Sequence, residues 1–392
     1  MNTRVASGLD CLIAESFQSL KGRNVMLVCN QASIASDHKH AIDYFYQAQE
    51  GGVLHLKALV GPQHGLWGHT QDNMIEWEGG GESDGVPIYS LYGQHRKPTA
   101  EMLTGVDTIV VDMQDVGAKY YTFIWTLAHC MEVANDTDIE VVVLDRPNPI
   151  GGQVEGPAKN KDFRSFVGLY PMTIRHGLTI GEVALYLKNE HVYRCNLRVI
   201  EMQNYDRNMY FEDTGLPWAM PSPNLPTIEG TVVYPGKCLL EATNLSEGRG
   251  TTRPFETFGA PWFNTQELSE ALAKHNLPGM ALRPLQFQPT FHKHAEQICE
   301  GYFLHVTDRK TFKPFLTTIA LLKEVRRLYP NKFQWNDPPY EYEYELMPFD
   351  ILVGNDWLRQ AIDKGADLAE MEQRWQAEAT EFEPKRRAAR LY

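Results

Sequence analysis

Four short apolar runs, rich in β-branched residues, each end in a cluster of polar side chains. Residues 25–28 (VMLV) lead into Cys29, Asn30 and Gln31, and residues 56–60 (LKALV) into Gly61, Pro62, Gln63, His64 and Gly65. Residues 108–111 (TIVV) lead into Asp112, Met113, Gln114 and Asp115, and residues 141–144 (VVVL) into Asp145, Arg146, Pro147, Asn148 and Pro149. Apolar runs of this length, closed by polar and turn-forming residues, read as buried strands. Residues 41–49, 99–103 and 126–134 fit helices between them. Such alternation predicts a parallel sheet with helices on both faces. Ligands of open α/β sheets bind just beyond the carboxyl ends of the strands. Four strand ends loaded with polar groups therefore predict one converged site.

The pattern changes after residue 179. Thr179 and Glu182 stand three apart ahead of the apolar residues 183–187, a capping-box signature that starts a helix. A loop-rich centre follows, with Pro217, Pro221, Pro223 and Pro226, and then a glycine-rich segment over 242–262. The last third predicts helices at 266–275 and 315–328, strands near 285–288 and 301–306, and a charged helical tail over 368–391 that packs through one apolar face.

Composition narrows the function. With 392 residues, 43% of them hydrophobic, the chain can bury a large core and build two domains. A net charge of −13 with no basic stripe argues against nucleic acid as a partner. No apolar run reaches the length of a membrane span. The start, MNTRVASGLDCLIAESF, lacks a secretory pattern. The six scattered cysteines contain no CxxC and read as buried free thiols of a reducing compartment. A cytoplasmic protein is the expectation, or a periplasmic or secreted one if a leader has been removed. The first strand is followed by CNQASIAS rather than GxGxxG, so the backbone turn that cradles a dinucleotide is missing. No cofactor and no metal are expected.

The candidate chemistry lies in seven clusters, each with a plainer structural reading beside it. His64 sits in a glycine- and proline-bounded loop with Trp67 nearby. The ring could bond structure or substrate, and Trp faces stack on sugar rings. Glu76 and Glu78, two apart on an extended segment, share a face that is either solvated or a source of acid and base. Asp112, Gln114, Asp115, Tyr120 and Tyr121 are more polar groups than a turn needs. Asp145 reads as an ion-pair partner, whereas Arg146 offers bidentate recognition of a carboxylate or phosphate, with Asn148 beside it. His176 precedes the capping box, in which Glu182 reads as the partner of Thr179. Ser222 and Asn224 are held in a rigid proline-rich loop. Glu241, Asn244, Glu247, Arg249 and Arg253 crowd a loop that could form backbone nests for anions.

GxSxG, HExxH and CxxC are all absent, which argues against a serine α/β-hydrolase and a zinc hydrolase. Carboxylates, amides, Tyr, Trp and Arg remain, and they suit carbohydrate chemistry, in which one carboxylic acid protonates the leaving oxygen and a second carboxylate acts as base or nucleophile.

The segments GPQHGLWG, VPIYSLYGQHRKPTAEML, VDMQDVGAKYYTF, LDRPNPIGG, RHGLTIGE, PSPNLPT, YPGKCLLEATNLSEGRGTTRPFE and GAPW occur in this order. Together they resemble the NamZ-type exo-β-N-acetylmuramidases, over roughly residues 5–390. The resemblance implies a Rossmann-like domain over 1–230 and a smaller α/β domain over 231–392, with the active site in the cleft between them. It also implies release of N-acetylmuramic acid from the non-reducing end of peptidoglycan fragments, with a small carbohydrate as the partner. The lactyl carboxylate of that sugar would account for Arg146, Arg249 or Arg253. Two positions depart from the family pattern. Gln63 stands where many members have the Glu of PEHG, and TQDNM places Met74 about where the Glu of an AGE tripeptide falls.

On this reading Glu76 or Glu78 is the general acid, and Asp115 or Glu247 is the opposing carboxylate. His64, His176 and Asn224 orient the substrate. Asn30, Gln63, Trp67, Gln114, Tyr120, Tyr121, Asn148, Ser222 and Asn244 complete the expected binding set. A non-catalytic binder of cell-wall fragments that has lost its acid is the alternative. A phosphosugar-acting enzyme is disfavoured by the missing phosphate loop.

Overall fold

The computed structural model describes residues 4–71, 74–77, 79–158, 161–191 and 193–392. In its first half, nine strands form in chain order: β1 (Asn24–Cys29), β2 (His55–Gly61), β3 (Gly79–Ser83), β4 (Val86–Ser90), β5 (Thr108–Asp112), β6 (Glu140–Leu144), β7 (Glu155–Ala158), β8 (Thr173–Arg175) and β9 (Asn196–Ile200). Seven of them build one sheet in the order β3-β4-β2-β1-β5-β6-β9. All neighbours are parallel except the edge pair β3 and β4. Counted along the chain, the six parallel strands run 3-2-1-4-5-6, the order of Rossmann-type folds. All four apolar runs are strands of this sheet.

Alternation along each strand divides the core into two layers. Met26, Val28, Ile109, Val111, Val141 and Val143 face one side. Val25, Leu27, Val110, Val142 and Leu144 face the other, where they meet helices α1 (Gly8–Ala14) and α2 (Ala41–Glu50). Helices α3 (Phe123–Val133) and α4 (Ile180–His191) cover the first side. The capping box forms as expected: Thr179 N–H donates to Glu182 Oε2 at 3.0 Å, and Glu182 N–H to Thr179 Oγ1 at 3.2 Å. Residues 99–103 form turns instead of a helix. The six residues between Pro98 and Gly105 are too few to offset the cost of nucleating one.

The second half contributes α5 (Ile228–Lys237), β10 (Thr257–Ala260), α6 (Thr265–Ala273), β11 (Met280–Phe287), β12 (Cys299–Val306), α7 (Pro314–Leu328), α8 (Pro348–Val353), α9 (Trp357–Asp363) and α10 (Leu368–Ala388). Its strands form an antiparallel sheet in the order β10-β12-β11. Phe315, Trp375 and Phe382 from these elements join the same apolar cluster as the first face of the large sheet. The charged tail therefore does more than cover a surface. Trp375 is buried, and the Tyr392 hydroxyl reaches back to Asp145 Oδ2 at 2.8 Å.

Candidate active site

A polar cavity forms where the loops after β2 and β5 meet the proline-rich loop, the segment after α5, and residues 340–341. The β2 loop is placed by close approach. A Cβ on Gly61 would lie 2.5 Å from the Trp77 ring, and His64 itself sits at φ 71°. His64 Nδ1 pairs with the Thr70 carbonyl at 2.8 Å. Gln63 is held at both ends: Thr122 Oγ1 donates to its Oε1 at 2.6 Å, and its Nε2 donates to the Tyr92 hydroxyl at 3.1 Å and to Glu341 Oε1 at 3.2 Å. Across the cavity, Glu241 accepts from Arg249 Nη2 at 2.8 Å and from the Tyr340 hydroxyl at 2.6 Å.

Two carboxyl groups, Glu241 and Glu341, therefore face one cavity. Burial pushes Glu341 up to about 7; the nearby Glu241 charge adds to this, while the hydrogen bonds from Tyr92 and Gln63 oppose it. Tyr121, Ser222 and Asn224 complete the polar wall, and Asn224 is fixed by donating to the Gln71 carbonyl at 2.7 Å. Tyr120 also lines the cavity, but its hydroxyl donates to the Pro235 carbonyl. The enclosed volume is about 30 Å³. A sugar site needs roughly 300 Å³ or more, so the cavity as it stands is smaller than a sugar ring requires.

The other expected site residues serve the frame. Arg146 is engaged within the fold and does not line this cavity. Its Nε and Nη2 grip both oxygens of Asp112, the second at 2.8 Å, and its Nη1 holds the Ile34 carbonyl at 3.1 Å. Together with Ser33, whose hydroxyl bonds the Asp112 carbonyl, this pair fills the crevice between β1 and β5 where the strand order reverses. Asp145 binds Gly181 N–H and the Thr179 hydroxyl, each at 2.8 Å, and so fastens the start of α4. Asn30 braces Pro221, Gln114 bonds the Pro147 carbonyl, and Asn148 bonds the Leu178 carbonyl. Asn244 clasps Lys332 and Gln334, and Arg253 pairs with Glu256. Each of these groups is committed to backbone or to an ion pair outside the cavity wall.

The expected carboxylates are placed differently as well. Glu76 is exposed and takes the Tyr342 hydroxyl at 2.9 Å, outside the cavity wall; Glu78 lies outside the described residues. Asp115 stands behind Tyr121, its Oδ2 taking Gly117 N–H at 2.7 Å and lying 3.3 Å from His176 Nε2. Glu247 is fully buried behind Arg249, between His292 at 3.1 Å and Lys293 at 2.9 Å. Burial opposes its ionisation, yet Lys293, His292 and Arg249 hold its carboxyl far below the usual range. Gly248 makes this turn possible at φ 82°, where a Cβ would lie 2.3 Å from the Thr257 carbonyl. Trp67 is 55% exposed, beside His40 and away from the cavity.

Glu341, Tyr340, Thr122 and Tyr234 escaped the sequence reading as site residues. The one signal for the first two is the run YEYEYE at 340–345, which alternates aromatic and acidic residues after two prolines. A larger cavity of about 530 Å³ lies between β7, residues 310–313 and α10. Two carboxyls line it, but Glu155 accepts from the Phe315 and Leu316 N–H groups and Glu372 pairs with Lys313 at 2.8 Å.

The chain matches the family model described as "Exo-beta-N-acetylmuramidase NamZ, N-terminal" over residues 25–229 and its C-terminal counterpart over residues 232–392. It is 40% identical to the peptidoglycan beta-N-acetylmuramidase NamZ of Bacillus subtilis (strain 168) over 390 residues, covering 99% of this chain and 92% of that protein. Two DUF1343 family proteins of Bacteroides fragilis share the fold. One has a TM-score of 0.88 at 31% identity over 99% of both chains. The other has a TM-score of 0.77 at 28% identity over 100% of this chain and 99% of its own. The chain belongs to the NamZ family of exo-β-N-acetylmuramidases.

Proposed function

We propose that this chain is an exo-acting glycoside hydrolase that releases N-acetylmuramic acid from the non-reducing end of peptidoglycan fragments, and that the polar cavity is its active site. The observation that carries the reading is the pair Glu241 and Glu341 facing one cavity, since glycosidic cleavage needs an acid and a second carboxylate. The activity of the B. subtilis relative supports the choice of sugar. Arg249, the cation of the described cavity wall, suits the lactyl carboxylate. Ser222, Asn224 and His64 suit its hydroxyl and acetamido groups. We further read the chain as two domains, 1–230 and 231–392, that contribute opposite walls; the break between the two family matches supports this. Six unpaired cysteines support a reducing, cytoplasmic setting. Among the described residues, no helix is long and apolar enough to cross a membrane.

The test is product analysis by mass spectrometry on fragments that end in either N-acetylmuramic acid or N-acetylglucosamine. Release of free N-acetylmuramic acid from the first set alone is expected. Tight binding without release would establish the non-catalytic alternative.

A further inference from the structure

A group that protonates a leaving oxygen has to face the substrate, keep its proton near neutral pH and escape neutralisation by a cation. Glu241 fails the last condition, because Arg249 holds it at 2.8 Å. Glu341 accepts hydrogen bonds from two neutral donors, Gln63 Nε2 at 3.2 Å and the Tyr92 hydroxyl at 2.9 Å. Each of its oxygens therefore retains a lone-pair site for a proton. Among the described residues it forms no salt bridge with Lys or Arg, and the Arg96 charge is the last of the influences on it. Gln63 cannot be the acid, since an amide has no acidic proton to give. Its orientation is fixed, because Thr122 occupies Oε1 and turns Nε2 toward Glu341. The backbone at Glu341 and Tyr342 holds φ of 46° and 65°, a left-handed pair of non-glycine residues of the kind that concentrates at functional sites.

We propose that Glu341 is the proton donor to the glycosidic oxygen, in place of the loop carboxylates Glu76 and Glu78. This rests on the hydrolase reading given above. In the step, the Glu341 proton passes to the glycosidic oxygen as the bond from C1 to that oxygen breaks, and the bonding pair stays on the leaving oxygen. Water supplies the new oxygen at C1. The proton that water releases returns to the Glu341 carboxylate, so one water is consumed and nothing is oxidised or reduced. Around Glu341, Tyr92, Gln63 and Arg96 approach from the first half of the chain, Glu241 and Tyr340 from the second, and Tyr342 from the neighbouring position. His64 and Arg249 line the same cavity. Burial and the Glu241 charge keep the proton on, while the Tyr92 and Gln63 hydrogen bonds and the Arg96 charge favour its loss.

The experiment compares two leaving groups on wild type and Glu341→Gln: an N-acetylmuramyl disaccharide, whose sugar alcohol needs a proton to depart, and a dinitrophenyl muraminide, whose phenolate does not. Glu341→Gln is expected to lower kcat/KM on the disaccharide by about 10²–10⁴-fold, to lower it by less than about tenfold on the aryl substrate, and to abolish the alkaline limb of the kcat/KM profile. Tyr92→Phe, which keeps the carboxyl, is expected to move that limb to higher pH. Equal losses on both substrates with the limb intact, or a limb that Tyr92→Phe does not move, would overturn the role of Glu341. If wild type cleaves neither substrate, the muramidase reading itself falls, and Glu341 with it.

Discussion

The ends of β2 and β5 look alike in the sequence and do opposite things in the fold. Both are buried parallel strands that run straight into polar residues. Beyond β2, Gln63 and His64 face a cavity and meet residues that arrive from the far end of the chain. At the end of β5, Asp112 is completely buried and locked to Arg146, which follows β6, and only residues 120–122, further along that loop, return to the cavity. The difference lies in what the neighbouring strand end supplies. At β5 a parallel neighbour brings a guanidinium of matching shape, so the charges close on each other and seal the crevice. At β2 the neighbours bring amides and hydroxyls, and the two carboxyls come from after residue 230. A polar strand end thus marks where a site can lie, and its partners decide whether it becomes one.

Breaking the sealed end should have the largest effect. Asp112→Ala leaves the Arg146 guanidinium buried without its carboxylate, and unfolding in urea should show a loss of about 3–5 kcal/mol. A loss below about 1 kcal/mol would mean that water relieves the charge and the crevice is not sealed.

The cavity end should instead show itself through pH. Glu341 is raised from 4.5 to about 7 in the fold, so the native state holds a proton there that the unfolded chain gives up. Its contribution is fully present below pH 4.5 and is lost as pH rises to about 7. Glu341→Gln removes that loss. The stability of the variant relative to wild type should therefore climb between these pH values, by up to about 3 kcal/mol. A difference that is flat with pH would show Glu341 to be ionised throughout.

Arg249→Ala sharpens the picture of the substrate. It should raise KM for aryl muraminides more than for aryl glucosaminides, by the equivalent of about 1.5–3 kcal/mol for a lost charged hydrogen bond. Equal changes on both sugars would limit Arg249 to holding Glu241. The smallest effect is expected at Thr179→Ala, which removes a helix cap and a hydroxyl bonded to Asp145. A thermal melt should report about 1 kcal/mol, with kcat unchanged.

Much of this was legible from local pattern. The four strands, the Thr179–Glu182 box and the helices at 314–328 and 368–388 follow from periodicity and capping chemistry, which act within a few residues. His64, Ser222, Asn224 and Arg249 were legible as cavity residues because rigid, glycine- or proline-bounded loops announce themselves. The pairing of Arg146 with Asp112 was not legible, because the two stand 34 positions apart and only the register of parallel strands brings them together. Glu341 was invisible for the same reason on a larger scale. Its contact with Gln63 spans 278 positions, and nothing near residue 341 says that its side chain is buried.

The most direct test of the account measures kcat on an N-acetylmuramyl disaccharide and the free energy of unfolding together, in Glu341→Gln and Asp112→Asn. The account predicts a crossed result. Glu341→Gln should keep its stability at neutral pH and lose most of its turnover. Asp112→Asn should lose stability, while its folded fraction turns over at the wild-type rate. If Asp112→Asn abolished turnover in a stable protein while Glu341→Gln left it intact, the catalytic end of the sheet would be at β5, and the assignment made here would be wrong.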